Sequence, residues 1–338
     1  MIKKELEKVI AGKNLAFEEA HDLMLTIMNG EVNQSQIAAL LTALKIKGEV
    51  PDEIAGFALA MRAKSIKLNI NKENLIDVCG TGGDNSGTFN ISTTSAFVVA
   101  GAGVKVAKHG NHSITSMSGS ADVLKALDIN INLVPEVSAR AIEEIGISFL
   151  FAPDYHPAMK FVAPVRKELG IKTVFNILGP LTNPAGTKRQ VIGTFNTRTA
   201  ELMVKAAARL DMERVCFICS EDRFDEILLS GNSQLFEYSQ TADVKSRELT
   251  HKDFGLPAVR HDQLLGSTPE WNAKLLTNIL SGLEKGAPYH VTVANAAMGL
   301  FAAGISSDLK VCVEQAVNSI KSGEAYAKLE ALRRFGVQ

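Results

Sequence analysis

Long apolar runs are missing from this 338-residue chain, as are an excess of either charge, a dense cysteine pattern, internal repeats and low-complexity tracts. No stretch approaches the roughly 18 consecutive apolar residues of a membrane span, so no transmembrane helix is expected. The opening MIKKELEKVIAG is charged and amphipathic and lacks the apolar middle of a secretion signal. Four cysteines in a chain this long make no disulfide framework. Cys216 and Cys219 form a C-x-x-C inside the apolar run from Val215 to Cys219. Strand alternation would put them on opposite faces, so they are expected as core residues rather than as a redox or zinc pair. Lysine and arginine number 36 against 37 acidic residues, a net charge of −1. That balance gives no general attraction to nucleic acid or to an anionic membrane surface, and any basic site must be local. These absences together imply a cytoplasmic enzyme-sized protein.

What is present reads as an α/β protein of about two domains. Residues 1 to about 69 carry helical spacing only. Leu15 to Met28 is one such stretch, and Ile37, Leu40, Leu41, Leu44 and Ile46 form another, opened by Asn33. Pro51, Asp52 and Glu53 open a third through Met61. The expectation is a small helical bundle whose leftover apolar surface suits a dimer contact. From about residue 70, short β-rich runs alternate with helices. Candidate strands are Leu75–Cys79, Val104–Ala107, Phe149–Phe151, Val191–Phe195, Val215–Cys219 and Leu235–Tyr238. Candidate helices are Thr93–Ala102, Ala121–Leu127, Pro135–Glu144, Thr197–Leu210, Trp271–Ser281 and Ala294–Ala302, with a helical tail from Asp308 to Phe335 whose charges lie on one side. This rhythm predicts a mostly parallel sheet covered by helices on both faces. The Pro-punctuated stretch 155–187 breaks it and is expected to return to the bundle. The predicted division is 1–69 with 155–187 as a small helical domain, and 70–154 with 188–338 as the larger α/β domain.

Within the second region, Leu75 to Cys79 empties into Gly80-Thr81-Gly82-Gly83-Asp84. Asn90 then opens a helix with Ser92, Thr93 and Thr94 in its first turn, and a second strand-like run ends in Lys108-His109-Gly110-Asn111. Glycine-turn amides, hydroxyls at a helix start and a lysine are the groups that hold phosphate oxygens. Ligands of such sheets sit beyond the carboxyl ends of the strands, where both the glycine turn and the Lys108 loop are expected. The glycine turn alone is weak: it is neither a P-loop nor a full G-x-G-x-x-G.

In combination the motifs are specific. GTGGD, Asn90-Ile91-Ser92-Thr93, KHGN and the later SGSAD resemble the signature blocks of the anthranilate phosphoribosyltransferase family. The likeness continues through Tyr155-His156-Pro157-Ala158-Met159, Arg166-Lys167, the run Asn176 to Pro184 and Asp225-Glu226, in order and at the family's spacing. The resemblance implies that 5-phosphoribosyl 1-diphosphate lies along Gly80, Gly83, Asp84, Thr88, Asn90, Ser92, Thr93, Lys108 and Ser120, that Gly110 and Asn111 lie near the acceptor's amine and ring, and that Thr81, Gly82, Ile91, His112 and Ser116 also line the substrate site. It implies Mg²⁺ held by Ser92, Asp225 and Glu226, for which an acidic surface loop is the plainer alternative. A hard cation of this kind takes a few oxygens plus substrate phosphates. Arg166 is matched to the anthranilate carboxylate, which a planar guanidinium grips with two hydrogen bonds; the alternative is a helix-surface arginine. Lys108, His109 and Arg166 are the catalytic candidates. His109, which could equally be a packed structural histidine, is expected beside the acceptor, positioning it rather than acting as its base. The implied assembly is a homodimer that binds neither nucleic acid nor membrane.

The chain departs from the family at three places. His112 stands where arginine is usual, Met117 where lysine is common, and Arg223-Phe224 where Gly-Leu tends to precede the acidic pair. The first two remove positive charge from the loop facing the diphosphate, and the hypothesis is that Arg223 restores part of it. Two other readings share the broad features: a pyrimidine nucleoside phosphorylase, which lacks the acidic pair and the 176–184 run, and a non-catalytic nucleic-acid binder, which needs a basic stripe.

Overall fold

Four helices come first: α1 (Lys3–Ile10), α2 (Phe17–Met28), α3 (Gln34–Lys47) and α4 (Pro51–Lys64). The computed structural model describes residues 2–112 and 117–335. Local chemistry sets the helix starts. The Asn33 side chain accepts from the Gln36 N–H at 2.9 Å, capping α3. Pro51 occupies the first turn of α4, where its missing N–H costs nothing. Glu53, fully buried in that turn, accepts from the Leu15 and Val50 amides and from Lys47 Nζ, fastening three segments of the bundle.

The remainder runs β1 (Leu75–Gly80), α5 (Ile91–Gly101), β2 (Lys105–Gly110), α6 (Ser120–Ala126), α7 (Pro135–Ile145), β3 (Ile147–Phe151), α8 (Ala152–Tyr155), α9 (Ala163–Leu169) and α10 (Phe175–Leu178). Then follow β4 (Arg189–Gly193), α11 (Thr197–Ala207), β5 (Arg214–Ser220), β6 (Ser233–Ser239), β7 (Ala242–Leu249), α12 (Pro269–Leu280), α13 (Ala287–Ala303), α14 (Leu309–Lys321) and α15 (Glu324–Phe335). The sheet order is β3-β2-β1-β4-β5-β6-β7. The first five strands are parallel and the last two pairings antiparallel. The mostly parallel sheet predicted from the strand–helix rhythm is therefore present.

One face of the sheet packs on α5, α12, α13, α14 and α15 around Ile76, Val78, Val106, Phe149, Val191 and Ile218. The opposite face, with Ile192, Val215 and Phe217, shares a core with α11, the four N-terminal helices and Val162, Val165, Phe175 and Leu178 of the 155–187 stretch. The bundle's spare apolar surface is thus partly taken up within the chain. Cys216 faces the first core, and Cys219 lies on the other side near Thr194 and Thr197; both are buried free thiols, as alternation implied.

Several boundaries differ from the sequence expectation. β2 continues through Gly110, so Lys108 and His109 are strand residues, not loop residues; both are buried. β4 begins at Arg189 and ends at Gly193, because Arg189 finds polar partners in Glu213 and the Ala303 carbonyl, while Thr194 N–H turns to Ile218 O. β7 has no counterpart among the candidate strands. It is a charged edge strand with little burial, the form in which sheet edges resist further pairing. α5 starts two residues early, at Ile91. α13 starts seven residues early, its Pro288 sitting in the first turn. The tail is two helices, interrupted at Gly323 with φ +83°.

Candidate active site

Gly80 and Gly193 are register partners at the carboxyl ends of β1 and β4. The acidic pair lies directly over them: a Cβ on Gly80 would stand 2.4 Å from Asp225 Oδ2. Only glycine permits that approach. The chain then turns through Gly82 and Gly83, with φ of +66° and +74°. Gly82 N–H donates to Asp225 Oδ2 at 2.8 Å, and Ser92 N–H, in the first turn of α5, donates to Glu226 Oε1 at 3.0 Å. These are amides of the kind that bind anions at glycine turns and helix N-termini. Asn295 on α13 secures the acidic pair from behind. Its side chain accepts from Ile227 N–H at 3.0 Å and donates to Ile227 O at 2.8 Å.

Asp84 joins the pair, accepting a hydrogen bond from the Asp225 N–H. Burial, then repulsion from Asp84 and Glu226, pushes the Asp225 carboxyl well above its ordinary range. Glu226 is pushed up by burial too, countered mainly by Lys108. No ion pair joins Asp84, Asp225 or Glu226 to a basic side chain among the described residues. Lys108 Nζ donates to Val78 O at 2.7 Å and to Ser92 Oγ at 3.3 Å, and burial pulls its ammonium below the usual lysine value. Three crowded carboxyl groups thus face one tethered ammonium, an arrangement of hard oxygens whose ionised forms a bound cation would favour. Among the described residues no ready-made cage of three His, Cys, Asp or Glu ligands exists, which suits a cation that completes its shell with substrate phosphates.

The other sequence-predicted residues are placed as follows. Thr81 N–H donates to Gly193 O, and its buried hydroxyl has no partner among the described residues. Thr88 and Asp84 share Ser86 Oγ. Ile91 and Thr93 are almost wholly buried. Asn90 does not cap α5. Its amide donates to Ser118 O at 3.0 Å and its oxygen accepts from Asn272 Nδ2 at 3.0 Å, so it braces the loop before α6. Ser120 Oγ donates to Asn111 O and fills the space beside Gly110. His112 Nδ1 meets Asp122 Oδ1 at 2.5 Å, its ring edge-on to Phe151. Ser116 lies outside the described residues. Arg223 is exposed, its guanidinium 5.0 Å from the Phe224 ring centroid.

His109 and His156 pack as tilted rings 5.2 Å apart, each with a buried Nε2 that has no partner among the described residues. Burial drives their pKa values down to about 3 and about 4, so both are neutral rings. Arg166 is not bonded to the glycine-turn cluster. It stands half-buried on α9, 5.5 Å from the Phe175 ring centroid, without an ion-pair or hydrogen-bond partner for its guanidinium among the described residues. Burial lowers its pKa from the ordinary value.

Sequence reasoning missed Asp77. Fully buried in β1, it accepts from His109 N–H at 3.2 Å, Asn183 Nδ2 at 2.8 Å and Gln190 Nε2 at 3.3 Å. These bonds join β1, β2, β4 and the 180–183 segment beneath the site. The available signal was a lone acid inside an apolar strand run. Lys172 was also missed; its Nζ donates to Gly83 O and lies 4.2 Å from the Phe195 ring centroid.

Comparison with known proteins bears on the same architecture. The helical bundle domain of a glycosyl transferase family matches residues 3–65, and its a/b domain matches residues 72–326. The chain is 46% identical over 332 residues to the anthranilate phosphoribosyltransferase of Moorella thermoacetica, spanning 98% of this chain and 97% of that one. The crystal structure of anthranilate phosphoribosyltransferase from Thermus thermophilus superposes with a TM-score of 0.93 at 43% identity, covering 98% of each chain. The Saccharomyces cerevisiae enzyme in complex with PRPP and Mg gives a TM-score of 0.89 at 27% identity, over 98% of this chain and 96% of that one. Near-complete coverage at this identity sets aside the nucleoside phosphorylase and nucleic-acid-binding readings. The chain belongs to the anthranilate phosphoribosyltransferase family.

Proposed function

We propose that this protein transfers the 5-phosphoribosyl group of 5-phosphoribosyl 1-diphosphate to the amino nitrogen of anthranilate, releasing diphosphate, as a step of tryptophan biosynthesis. The observation that carries the reading is a pairing of opposites. A half-buried arginine without a counter-ion among the described residues, Arg166, serves a carboxylate acceptor, and an amide-lined acidic turn at the sheet mouth serves a metal-bound polyphosphate.

The donor's phosphates lie along the glycine turn and the first turn of α5, where Gly80 to Asp84, Thr88, Asn90 to Thr93, Lys108 and Ser120 supply amides, hydroxyls and one ammonium. Mg²⁺ fits the site because Ser92, Asp225 and Glu226, with Asp84 adjacent, offer only hard oxygens, and a cation would displace the protons that burial and crowding hold on the acidic pair. Bound there, the cation supplies charge neutralisation for the leaving diphosphate. Gly82 N–H and Ser92 N–H, now on the acidic pair, are the donors the phosphates compete for.

The acceptor nitrogen attacks C1 of the ribose, the C1–O bond to diphosphate breaks, and the carbon inverts. Positive charge builds on the ribose ring, so the protein's contribution is mainly positioning and electrostatics. Aniline-type nitrogen is already largely unprotonated near neutral pH and needs no strong base. His109 and His156, with pKa values of about 3 and about 4, are neutral but far too weakly basic for that role. They form a dry, polar-edged wall beside the acceptor. Residues 1–69 with 155–187 act as one body, closing on residues 70–154 with 188–338 to exclude water. Ile10 and Ile46, 66% and 81% exposed on the bundle, support a homodimer through that body, and the setting is cytoplasmic.

Anthranilate is fluorescent, so the test is direct. Its signal is expected to fall when protein, 5-phosphoribosyl 1-diphosphate and Mg²⁺ are mixed, and not when any one is left out. A folded protein that leaves the signal constant refutes the proposal.

A further inference from the structure

Among the described residues, Lys172 is the side chain that reaches from the bundle-side stretch 155–187 onto the glycine turn. It sits in the short link between α9, which carries Arg166, and α10, which begins with the Phe175 that Arg166 lies against. The rest of this link is anchored: Gly170 ends α9 at φ +62°, and Thr173 N–H donates to Asn176 Oδ1 at 2.9 Å. From there the ammonium crosses to donate to Gly83 O and rests 4.2 Å from the centre of the Phe195 ring, just past β4. Its carbon stem also packs on the turn, since a Cβ on Gly83 would meet Lys172 Cε at 3.2 Å. No carboxylate pairs with it among the described residues.

The geometry points to Lys172 as a positioning residue that couples the donor and acceptor sites, an inference that rests on the substrate assignment above. By donating to the Gly83 carbonyl, it fixes that peptide and with it the shape of the turn whose amides the donor's phosphates compete for. Because the same link shapes the seat of Arg166, a donor that orders the turn also orders the acceptor's arginine. The Phe195 ring face holds the cation in place, through a cation–π contact. Coupling of two sites is reciprocal, so each substrate raises the other's affinity by the same factor.

The test measures anthranilate binding by fluorescence, with Mg²⁺, at zero and saturating donor; an unreactive donor analogue lacking a leaving diphosphate oxygen prevents turnover. Wild-type protein is expected to bind anthranilate at least about fivefold more tightly with donor present. Lys172→Met is expected to bring that ratio near one, leave the affinity for anthranilate alone unchanged, and raise the donor KM more than it lowers kcat. Lys172→Arg, which keeps both the hydrogen-bond donor and the ring contact, is expected to restore most of the ratio. A Lys172→Met protein with wild-type melting temperature and an undiminished ratio overturns the coupling. Wild-type protein that does not consume anthranilate overturns instead the substrate assignment, and the coupling with it.

Discussion

Gly193 and Asp225 are in such close contact that a Cβ added to the glycine would lie 1.6 Å from the Asp225 carbonyl oxygen. The seat of the acidic pair is therefore defined by the absence of a side chain at the end of β4. Gly193→Ala must push that loop outward by more than an ångström or distort the strand. Overpacking of this kind costs about 1–3 kcal/mol. Displacement of a reacting constellation by about 1 Å can lower turnover about a hundredfold. Thermal melting and kcat/KM across a Mg²⁺ titration check both, and near-normal kinetics would show that Gly193 does not set the loop.

Arg166 carries a charge with no protein partner among the described residues, and its removal should be felt by one substrate only. A charge-assisted, two-bond grip on a carboxylate is worth about 1.5–3 kcal/mol. Arg166→Gln is expected to raise the anthranilate KM roughly tenfold to a hundredfold, while the donor KM stays within about threefold. Arg166→Lys keeps the charge but loses the planar fork, and should recover only part of the loss. Steady-state kinetics with each substrate varied decide it; an equal rise in both KM values would remove Arg166 from the acceptor's site.

The histidine pair sets a pH dependence of stability with a definite sign. In the unfolded chain an imidazole takes up its proton near pH 6.5, whereas folded His109 and His156 resist until about 3 and about 4. Between those values the unfolded state holds more protons, so stability rises with pH. The contribution is complete above about pH 6.5 and is lost as pH falls toward the folded values. At pH 5 the penalty is about 2 kcal/mol per ring, taking roughly 1.4 kcal/mol per pH unit. Urea midpoints at pH 7 and 5 measure it, and His156→Asn should remove about half of the difference, leaving the share of His109. Catalysis, by contrast, should show no limb from either ring between pH 6 and 9.

Much of this was legible in the chain, for identifiable reasons. Gly82 and Gly83 occupy left-handed angles that only glycine adopts readily, so the turn announces itself. The alternation of apolar runs with helical spacing likewise gives away the parallel sheet. The misses have a common cause: partners far apart in sequence. Asp77 is held by Asn183 and Gln190, 106 and 113 residues away; its place as a lone acid in an apolar run marks it as unusual but names none of these partners. Lys172 reads as an ordinary lysine until the fold brings Gly83, 89 residues distant, beneath it. β7 escapes because an edge strand needs no apolar alternation; its exposed lysine, arginine and acids look like loop. The chemistry of Lys108 is readable but its placement is not, because a lysine at the end of an apolar run hides how far the strand extends.

The core shared between the first four helices and the sheet has a consequence for synthesis. Residues up to Met61 leave the ribosome long before Val162 to Phe217, which complete their packing, are made. At about 5–20 residues per second, a lag of about 100 residues to Val162 and about 150 to Phe217 leaves the nascent bundle incompletely covered for roughly 5–30 seconds. During that interval it is a natural client for chaperones, and a ribosome stalled midway through the gene would strand a fragment with its greasy side open to neighbours.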